Sequence, residues 1–445
     1  MKINVIGTGY VGLVSGVCMA AKGHSVKCFD TNPETIQILK SGKCHFYEKG
    51  LEKLFVEYSD NLSFELLDAS SEHKLLDCQV ILMAVGTPTV NEKIDLSQIK
   101  TASKNIGKLI KNHDKFISVI VKSTVVPGTT DTVVKNILEE SSGKKIGEFG
   151  LGMNPEFLRE GNAVEDFMNP DRIVFGYEDE TTLKYLHEIY SPWDVDKIIV
   201  NTRSAEMIKY VNNSILATLI STTNEYSNIA KSIGNVDFNT VMNAVHLDNR
   251  WCPIDRQTGI RIYPEIINYL KPGCGFGGSC FPKDVMALAA LSKEIGIKPL
   301  ILDSVIKVNQ LQPKVVLEYL EEKVGSLEGK NILVLGLAFK PDTDDVRESV
   351  SIKLMEYLNT QRCNITAHDP ISINNAKKII DFDVNYVKDW KKELSNNDVI
   401  IIATNWSEYR QLKDFDNTLE NKILFDTRSL FNKKEFTNIN YININ

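Results

Sequence analysis

Short apolar runs alternate with amphipathic stretches through about residue 170. Ile3–Ile6, Val26–Phe29, Val80–Val85, Ile117–Val121 and Ile173–Phe175 read as strands, most of them followed by a turn signal and a helical pattern. Short apolar strands alternating with helices predict a parallel, doubly wound α/β sheet. From Ser204 to about Ile233 the period changes: Ile208, Val211, Ile215, Leu219, Thr222 and Tyr226 recur at helical spacing with no Gly or Pro between them. One helix of roughly 30 residues is expected there, long for a globular domain. It is either a spine or dimer interface between two α/β units, or a single buried core helix.

Residues 251–275 are loop-rich, with Pro253, Gly259, Pro264, Pro272, Gly273 and Gly275. A second α/β unit begins at 331–336, and Asn364–Ala367, Val399–Ala403 and Ile423–Phe425 continue it. The tail Thr437–Asn445 either adds a last strand or frays. The expected fold is two Rossmann-like doubly wound α/β domains, over 1–200 and 311–445, joined by the long helix and a helical middle domain over 201–310.

Composition narrows the function. The chain has 445 residues, 43% hydrophobic and 24% charged, with a net charge of −7. A mildly acidic chain without basic clusters is a poor nucleic-acid binder, because phosphate contacts need grouped Lys and Arg. No apolar run approaches the ~20 residues that span a bilayer. The eight Cys (18, 28, 44, 78, 252, 274, 280, 363) form no CxxC pair and no Cys/His cluster with zinc spacing. With no signal-peptide pattern at the N-terminus, they read as reduced thiols of a cytoplasmic protein, and no metal is expected.

Gly7-Thr8-Gly9-Tyr10-Val11-Gly12 follows the first strand directly and opens a helical pattern. The second strand ends at Asp30, 18 residues past Gly12. That context is what the dinucleotide fingerprint requires. The glycines allow a tight turn and close backbone approach to a pyrophosphate, which the helix N-terminus stabilises. Asp30 accepts from the ribose hydroxyls and repels a 2′-phosphate, so NAD⁺ is expected over NADP⁺. A binding-only sensor or a non-redox enzyme could share this start, and the rest of the chain has to decide.

The most informative segment is Gly275-Phe276-Gly277-Gly278-Ser279-Cys280-Phe281-Pro282-Lys283-Asp284. A glycine turn delivers Cys280 to a helix start marked by Pro282. A thiolate there is stabilised by exposed N–H groups and the helix dipole. Asp284, four residues on, shares a helical face with it, and Lys283 adds a cation. Nucleophile, cation and carboxylate make a constellation for covalent catalysis. The other thiols, Cys18, Cys28, Cys78 and Cys363 among them, read as inert and buried. Lys209 and Asn213 are also four apart, and an ammonium beside an amide suits an oxyanion. By itself this pair would read as surface decoration, and Asn154-Pro155-Glu156-Phe157-Leu158-Arg159-Glu160-Gly161 as a loop.

At these residues the chain resembles the UDP-glucose 6-dehydrogenase family, within the UDP-glucose/GDP-mannose dehydrogenase superfamily. The likeness covers nearly the whole chain. Its carriers, beside the segments above, are Val85-Gly86-Thr87-Pro88, Lys122-Ser123-Thr124-Val125, Asp166 with Pro170-Asp171-Arg172, and Gly336-Leu337-Ala338-Phe339-Lys340-Pro341 leading to Thr343–Ser349. The resemblance implies oxidation of a sugar C6 alcohol to the acid, with two NAD⁺, one water and no metal. Cys280 would carry a thiohemiacetal and then a thioester. Lys209 and Asn213 would stabilise oxyanions, and Asp284 and Glu156 would orient or deprotonate water with help from Thr124.

Carried over residue by residue, the likeness implies NAD⁺ contacts at Gly7, Gly9, Tyr10, Val11, Gly12, Asp30, Thr87, Thr124, Glu160, Lys283 and Arg347. It implies substrate contacts at Phe157, Leu158, Arg159, Glu160, Lys209, Asn213, Tyr269, Leu270, Lys271, Pro272, Gly273, Gly277, Lys340 and Arg428. Arg250 resembles an arginine lent to the neighbouring subunit, which implies a homodimer or larger assembly. Two features depart from the pattern. Thr35 stands where the family often has a lysine, and the stretch between Arg250 and Cys280 is lengthened around 251–267, either shaping the sugar pocket or merely adding surface. UDP-glucose is the substrate implied, with GDP-mannose or a UDP-N-acetylhexosamine as rivals. A catalytically silent sensor or a structural scaffold would leave the thiol turn unexplained.

Overall fold

A computed structural model describes residues 1–444, in two compact units, Met1–Asn212 and Asn213–Asn445. The first is built on an eight-stranded sheet. In spatial order its strands are Lys197–Val200, Ile173–Tyr177, Gly150–Met153, Ser118–Val121, Val80–Met83, Lys2–Ile6, Ser25–Asp30 and Leu62–Leu66. The central strands Val80–Met83 and Ser118–Val121 are buried at every position, because helices cover both faces of the sheet. Alternate residues serve opposite cores: Ile3, Val5, Val80 and Leu82 pack with the helix Tyr10–Ala21. Ile6, Ile81, Met83 and Val119 pack on the other side with Ile99 and Ile106.

All neighbouring strand pairs in this sheet are parallel except Gly150–Met153 with Ile173–Tyr177. The parallel, doubly wound expectation holds for the rest of the sheet, and this one pair departs from it. The chain between these two strands, which carries the helix Ala163–Met168, does not cross back over the sheet, so the next strand returns the opposite way. Three of the eight strands, Leu62–Leu66, Gly150–Met153 and Lys197–Val200, were not foreseen. Gly150 and Gly152 weaken the β signal of one, and the other two are half-exposed edge strands.

The second unit holds a six-stranded, wholly parallel sheet. Its order is Asn385–Tyr386, Asn364–His368, Asn331–Leu335, Val399–Ile402, Ile423–Asp426 and Asn440–Asn443. The tail therefore forms a strand. In both sheets the first strand lies between the second and the fourth of its unit, which leaves a crevice at the carboxyl ends where the order reverses. The long helix runs Thr202–Ile233, two residues longer at its start than its pattern suggested. Helices Phe281–Glu294 and Leu300–Val324 precede the second sheet.

Candidate active site

The glycine turn sits at the crevice of the first sheet. Gly7 adopts φ +92°, and a Cβ there would meet Ala84 O at 2.6 Å, so only glycine fits. A Cβ on Gly12 would strike Gly7 O, which explains the third glycine as a close-packing requirement. Gly9 has open space in front of it, so its backbone can be approached by a ligand. It is also the N-cap of the helix Tyr10–Ala21 and carries no side chain to occupy the first N–H groups. Asp30 Oδ2 accepts from Thr8 N and Thr8 Oγ1, both at 2.7 Å, and Oδ1 accepts from Asn32 N at 2.9 Å. It thus orders the glycine turn from the end of the second strand. Thr35 lies in the first turn of Pro33–Lys40, its N–H directed at the Asn32 cap.

Sequence reasoning missed Glu48. Its buried carboxylate accepts from Tyr10 Oη at 2.5 Å, Gly161 N at 2.7 Å and Ala163 N at 2.8 Å. One side chain from an irregular segment therefore ties the glycine-turn helix to the residues just after Glu160. It lies in no periodic pattern, so nothing short of the fold could single it out.

The first unit also gathers Thr124, Glu156 and Lys209. Lys209 Nζ stands 2.9 Å from Glu156 Oε1, and both side chains are 4% exposed. Glu156 Oε2 accepts from Leu158 N at 2.7 Å, and Thr124 Oγ1 lies 3.4 Å from Oε1. Burial opposes the charge on Glu156, but the Lys209 ammonium, the Leu158 N–H and Lys122 together hold its carboxyl below the usual range. Lys122 is itself buried, with Nζ 2.8 Å from Asn154 Oδ1. Burial pushes its ammonium down to about 7, against the pull of Glu156. Phe157 is covered by the Arg172 guanidinium at 4.1 Å, with Lys209 Nζ 5.7 Å from the ring. Thr87 Oγ1 donates to Thr124 O at 2.8 Å.

In the second unit Cys280 is the N-cap residue of Phe281–Glu294, with Pro282 in the first turn, as its sequence predicts. The thiol is half-buried, and its Sγ is 3.6 Å from Ser279 Oγ. Asp284 has no exposed surface. Its Oδ2 accepts from Asn213 Nδ2 at 2.6 Å and its Oδ1 from Lys283 Nζ at 2.6 Å. Each carboxylate oxygen thus holds one donor, one of them the Asn213 amide. Lys283 likewise points at Asp284. The glycines of this turn are needed for close approach. A Cβ at Gly277 would meet Glu348 O at 2.3 Å, and one at Gly278, φ +84°, would enter the Phe339 ring. Gly278 N donates to Arg347 O at 3.0 Å. Gly275 N-terminal to them packs on Asn309, which accepts from Phe276 N at 2.7 Å.

The remaining residues are more dispersed. Gly273 N donates to Asn224 Oδ1 at 2.8 Å, and a Cβ at Gly273 would lie 3.8 Å from Arg428, whose Nε donates to Ala403 O at 2.6 Å. Tyr269 lies 6.3 Å from the Phe281 ring, Lys271 donates to Asn268, Leu270 and Pro272 are buried, and Lys340 rides over Phe339 at 5.4 Å. Arg159 pairs with Asp166 at 2.7 Å; Glu160 is buried and Val11 half-buried. Arg347 and Arg250 are exposed and each pairs with the aspartate two residues before it. The unforeseen Asp369 repeats the Asp30 arrangement in the second sheet, accepting from Leu337 N at 2.8 Å and Ala338 N at 3.1 Å after Gly336 at φ +97°.

Comparison with known proteins agrees with this geometry. Residues 1–194 match the NAD binding domain of the UDP-glucose/GDP-mannose dehydrogenase family, residues 203–311 its central domain and residues 333–433 its UDP binding domain. A UDP-glucose 6-dehydrogenase of Haloferax volcanii is 36% identical, covering 98% of each chain. One from Bacillus subtilis is 37% identical over 98% of this chain and 95% of its own. The structure of a UDP-glucose dehydrogenase from Pyrobaculum islandicum superposes with a TM-score of 0.87 at 36% identity, covering 100% of this chain and 97% of that one. With motifs, two sheets and three matched domains in agreement, the chain belongs to the UDP-glucose/GDP-mannose dehydrogenase family of NAD-dependent enzymes.

Proposed function

We propose that this enzyme oxidises UDP-glucose at C6 to UDP-glucuronate, consuming two NAD⁺ and one water. The observation that carries the reading is Cys280 at the N-cap of Phe281–Glu294, beside the Asn213–Asp284 pair. The family's UDP binding domain and the names of its relatives support uridine and glucose. Bound NAD⁺ supplies the hydride acceptor at each oxidation. Cys280 Sγ adds to the C6 aldehyde, forming a thiohemiacetal; hydride loss leaves a thioester, and water cleaves it to free the thiol and the acid. Two oxidations on one carbon need such a tether, since the aldehyde would otherwise escape. Lys209 and Asn213, four apart on one helix, donate to the oxyanion. Glu156, ionised and within reach of Thr124, takes the proton from water, and Asp284 fixes the Asn213 amide.

The division into a NAD-binding part over 1–200, a central part over 201–310 and a sugar-nucleotide part over 311–445 is supported by the spans of the matched domains. A homodimer or larger assembly is supported by the exposed apolar side chains Ile215, Tyr226, Ile229 and Ile233 on the long helix, with Val241 and Val245 also exposed on the helix Phe238–His246. Arg250, 87% exposed, is available to a neighbouring subunit. Among the described residues no helix is long and apolar enough to cross a membrane. Among the described residues no cysteine forms a disulfide, which supports a reducing, cytoplasmic setting.

The test is NADH formation against a panel of UDP- and GDP-hexoses. UDP-glucose should give the highest kcat/KM. A preference for GDP-mannose or a UDP-N-acetylhexosamine would replace the substrate while leaving the chemistry.

A further inference from the structure

Lys122 is a buried cation with no part in the reaction as assigned above. It follows directly on the strand Ser118–Val121, and its side chain is almost wholly enclosed. Its Nζ donates to Asn154 Oδ1 at 2.8 Å and lies 3.5 Å from Tyr190 Oη. Tyr190 donates to the same Asn154 oxygen, and Asn154 Nδ2 donates to Val174 O at 2.9 Å, so the amide is held with its oxygen toward the amine. The rings of Phe167 and Tyr190 stand 5.7 and 6.0 Å from Nζ. Neutral oxygens and ring faces thus hold the ammonium in place, and none of them neutralises it.

The carboxylate it serves is Glu156. Lys122 and Glu156 line one cavity of about 40 Å³. The other charges around that cavity are already engaged. Asp166 is paired with Arg159, and Arg172 stacks on Phe157 and reaches Asn212 Oδ1 at 3.3 Å. Lys209, from the long helix, is the direct partner of Glu156. One carboxylate therefore lies among two buried ammoniums, where a single one would satisfy it in the resting state.

The second ammonium makes sense during turnover. When Lys209 directs its donors at the oxyanion, Glu156 loses its pair. A carboxylate so deeply buried then takes up a proton unless another cation is near. We propose that Lys122 is a positioning residue that holds Glu156 ionised while Lys209 serves the oxyanion, acting by charge alone. The proposal rests on the roles given above to Glu156 and Lys209. Lys122 is fixed by Asn154 and Tyr190 and does not compete for the substrate. Its ammonium persists below about pH 7, and so at the acid pH where a carboxylate takes up its proton.

The experiment is the pH dependence of kcat with saturating NAD⁺ and UDP-glucose. K122Q should move the acid limb upward by on the order of one pH unit, with kcat below the limb falling about tenfold. The alkaline plateau should stay within about twofold of wild type, since Glu156 ionises there without help. K122R, which keeps the charge, should retain the wild-type limb whatever it does to Tm, and so should Y190F. K122M, whose apolar chain suits the Phe167 and Tyr190 rings, gives the same reading should K122Q not fold. An unmoved limb in the uncharged variants would overturn the proposal, because a purely structural lysine changes stability and not the limb. E156Q separates the two readings. An acid limb that survives in E156Q removes Glu156 as the base, and Lys122's role with it; a limb lost in E156Q but unmoved in K122Q sinks the role of Lys122 alone.

Discussion

Lys209 Nζ and Glu156 Oε1 form an ion pair at 2.9 Å with only 4% of either side chain exposed. Removing one partner strands the other charge away from water. Glu156→Gln should therefore destabilise the folded protein by about 3–5 kcal/mol, more than Lys209→Met, because it leaves two buried ammoniums, Lys209 and Lys122, without their carboxylate, whereas Lys209→Met leaves Glu156 with Lys122. Urea unfolding of the two variants measures the difference. Equal, small losses would mean that water reaches the pair.

The thiol of Cys280 should set the reaction's stoichiometry. Wild type is expected to form two NADH per UDP-glucose. Cys280→Ser should lower steady-state turnover at least a hundredfold, because a serine alkoxide is far harder to form than a thiolate at a helix N-terminus. NADH absorbance against product acid gives the ratio. Undiminished two-NADH turnover in C280S would remove the covalent role.

Asp30 has two tasks, ordering Thr8 and presenting a negative charge at the end of the second strand. Asp30→Asn should narrow the preference for NAD⁺ over NADP⁺ by relieving like-charge repulsion. It should also raise KM for NAD⁺, since the turn loses a charged acceptor. Comparable kcat/KM for the two cofactors in wild type would contradict the first expectation.

The lengthened loop is stitched to itself. Arg261 Nη1 donates to Leu247 O at 2.9 Å and Cys252 O at 2.5 Å and lies 3.2 Å from Asn249 Oδ1, and Ile254 pairs with Arg261 across an antiparallel bridge. Arg261→Ala should loosen residues 251–267 selectively. If the loop shapes the sugar site, KM for UDP-glucose rises several-fold while KM for NAD⁺ does not. Two unchanged KM values in a folded variant would leave the loop as surface elaboration.

Glu206 supplies a pH dependence of stability. Its buried carboxylate accepts from Gly128 N at 2.6 Å and Thr130 N at 2.8 Å, yet burial outweighs these bonds and pushes its pKa up to about 7. A raised folded-state pKa means that the folded form binds the extra proton. Its contribution is fully present below the unfolded value near 4.5 and is lost as pH rises through 7. Glu206→Gln should flatten that part of the Tm–pH curve between pH 4.5 and 7. A slope unchanged in the variant would assign it to other groups.

Much of this protein is legible in its sequence because local rules act there. Short apolar runs located the buried strands, since helices cover both faces of the first sheet, and a 3.6-residue period located the long helix. The glycines before Tyr10 and Cys280 announced turns that no other residue can make. Proline at the second position of a helix placed the thiol at its N-cap. What the tertiary structure decided is which charges meet. Lys209 and Asn213 are neighbours on one helix, yet one turns to Glu156 and the other to Asp284, and spacing alone could not assign those partners. Glu48 and Asp369 lie outside any period, and only the packed fold brings their carboxylates to the N–H groups they satisfy. Lys122 was legible as part of a motif, but its meaning depends on burial beside Glu156. Burial removes water's screening, and only the packed fold determines where water is excluded.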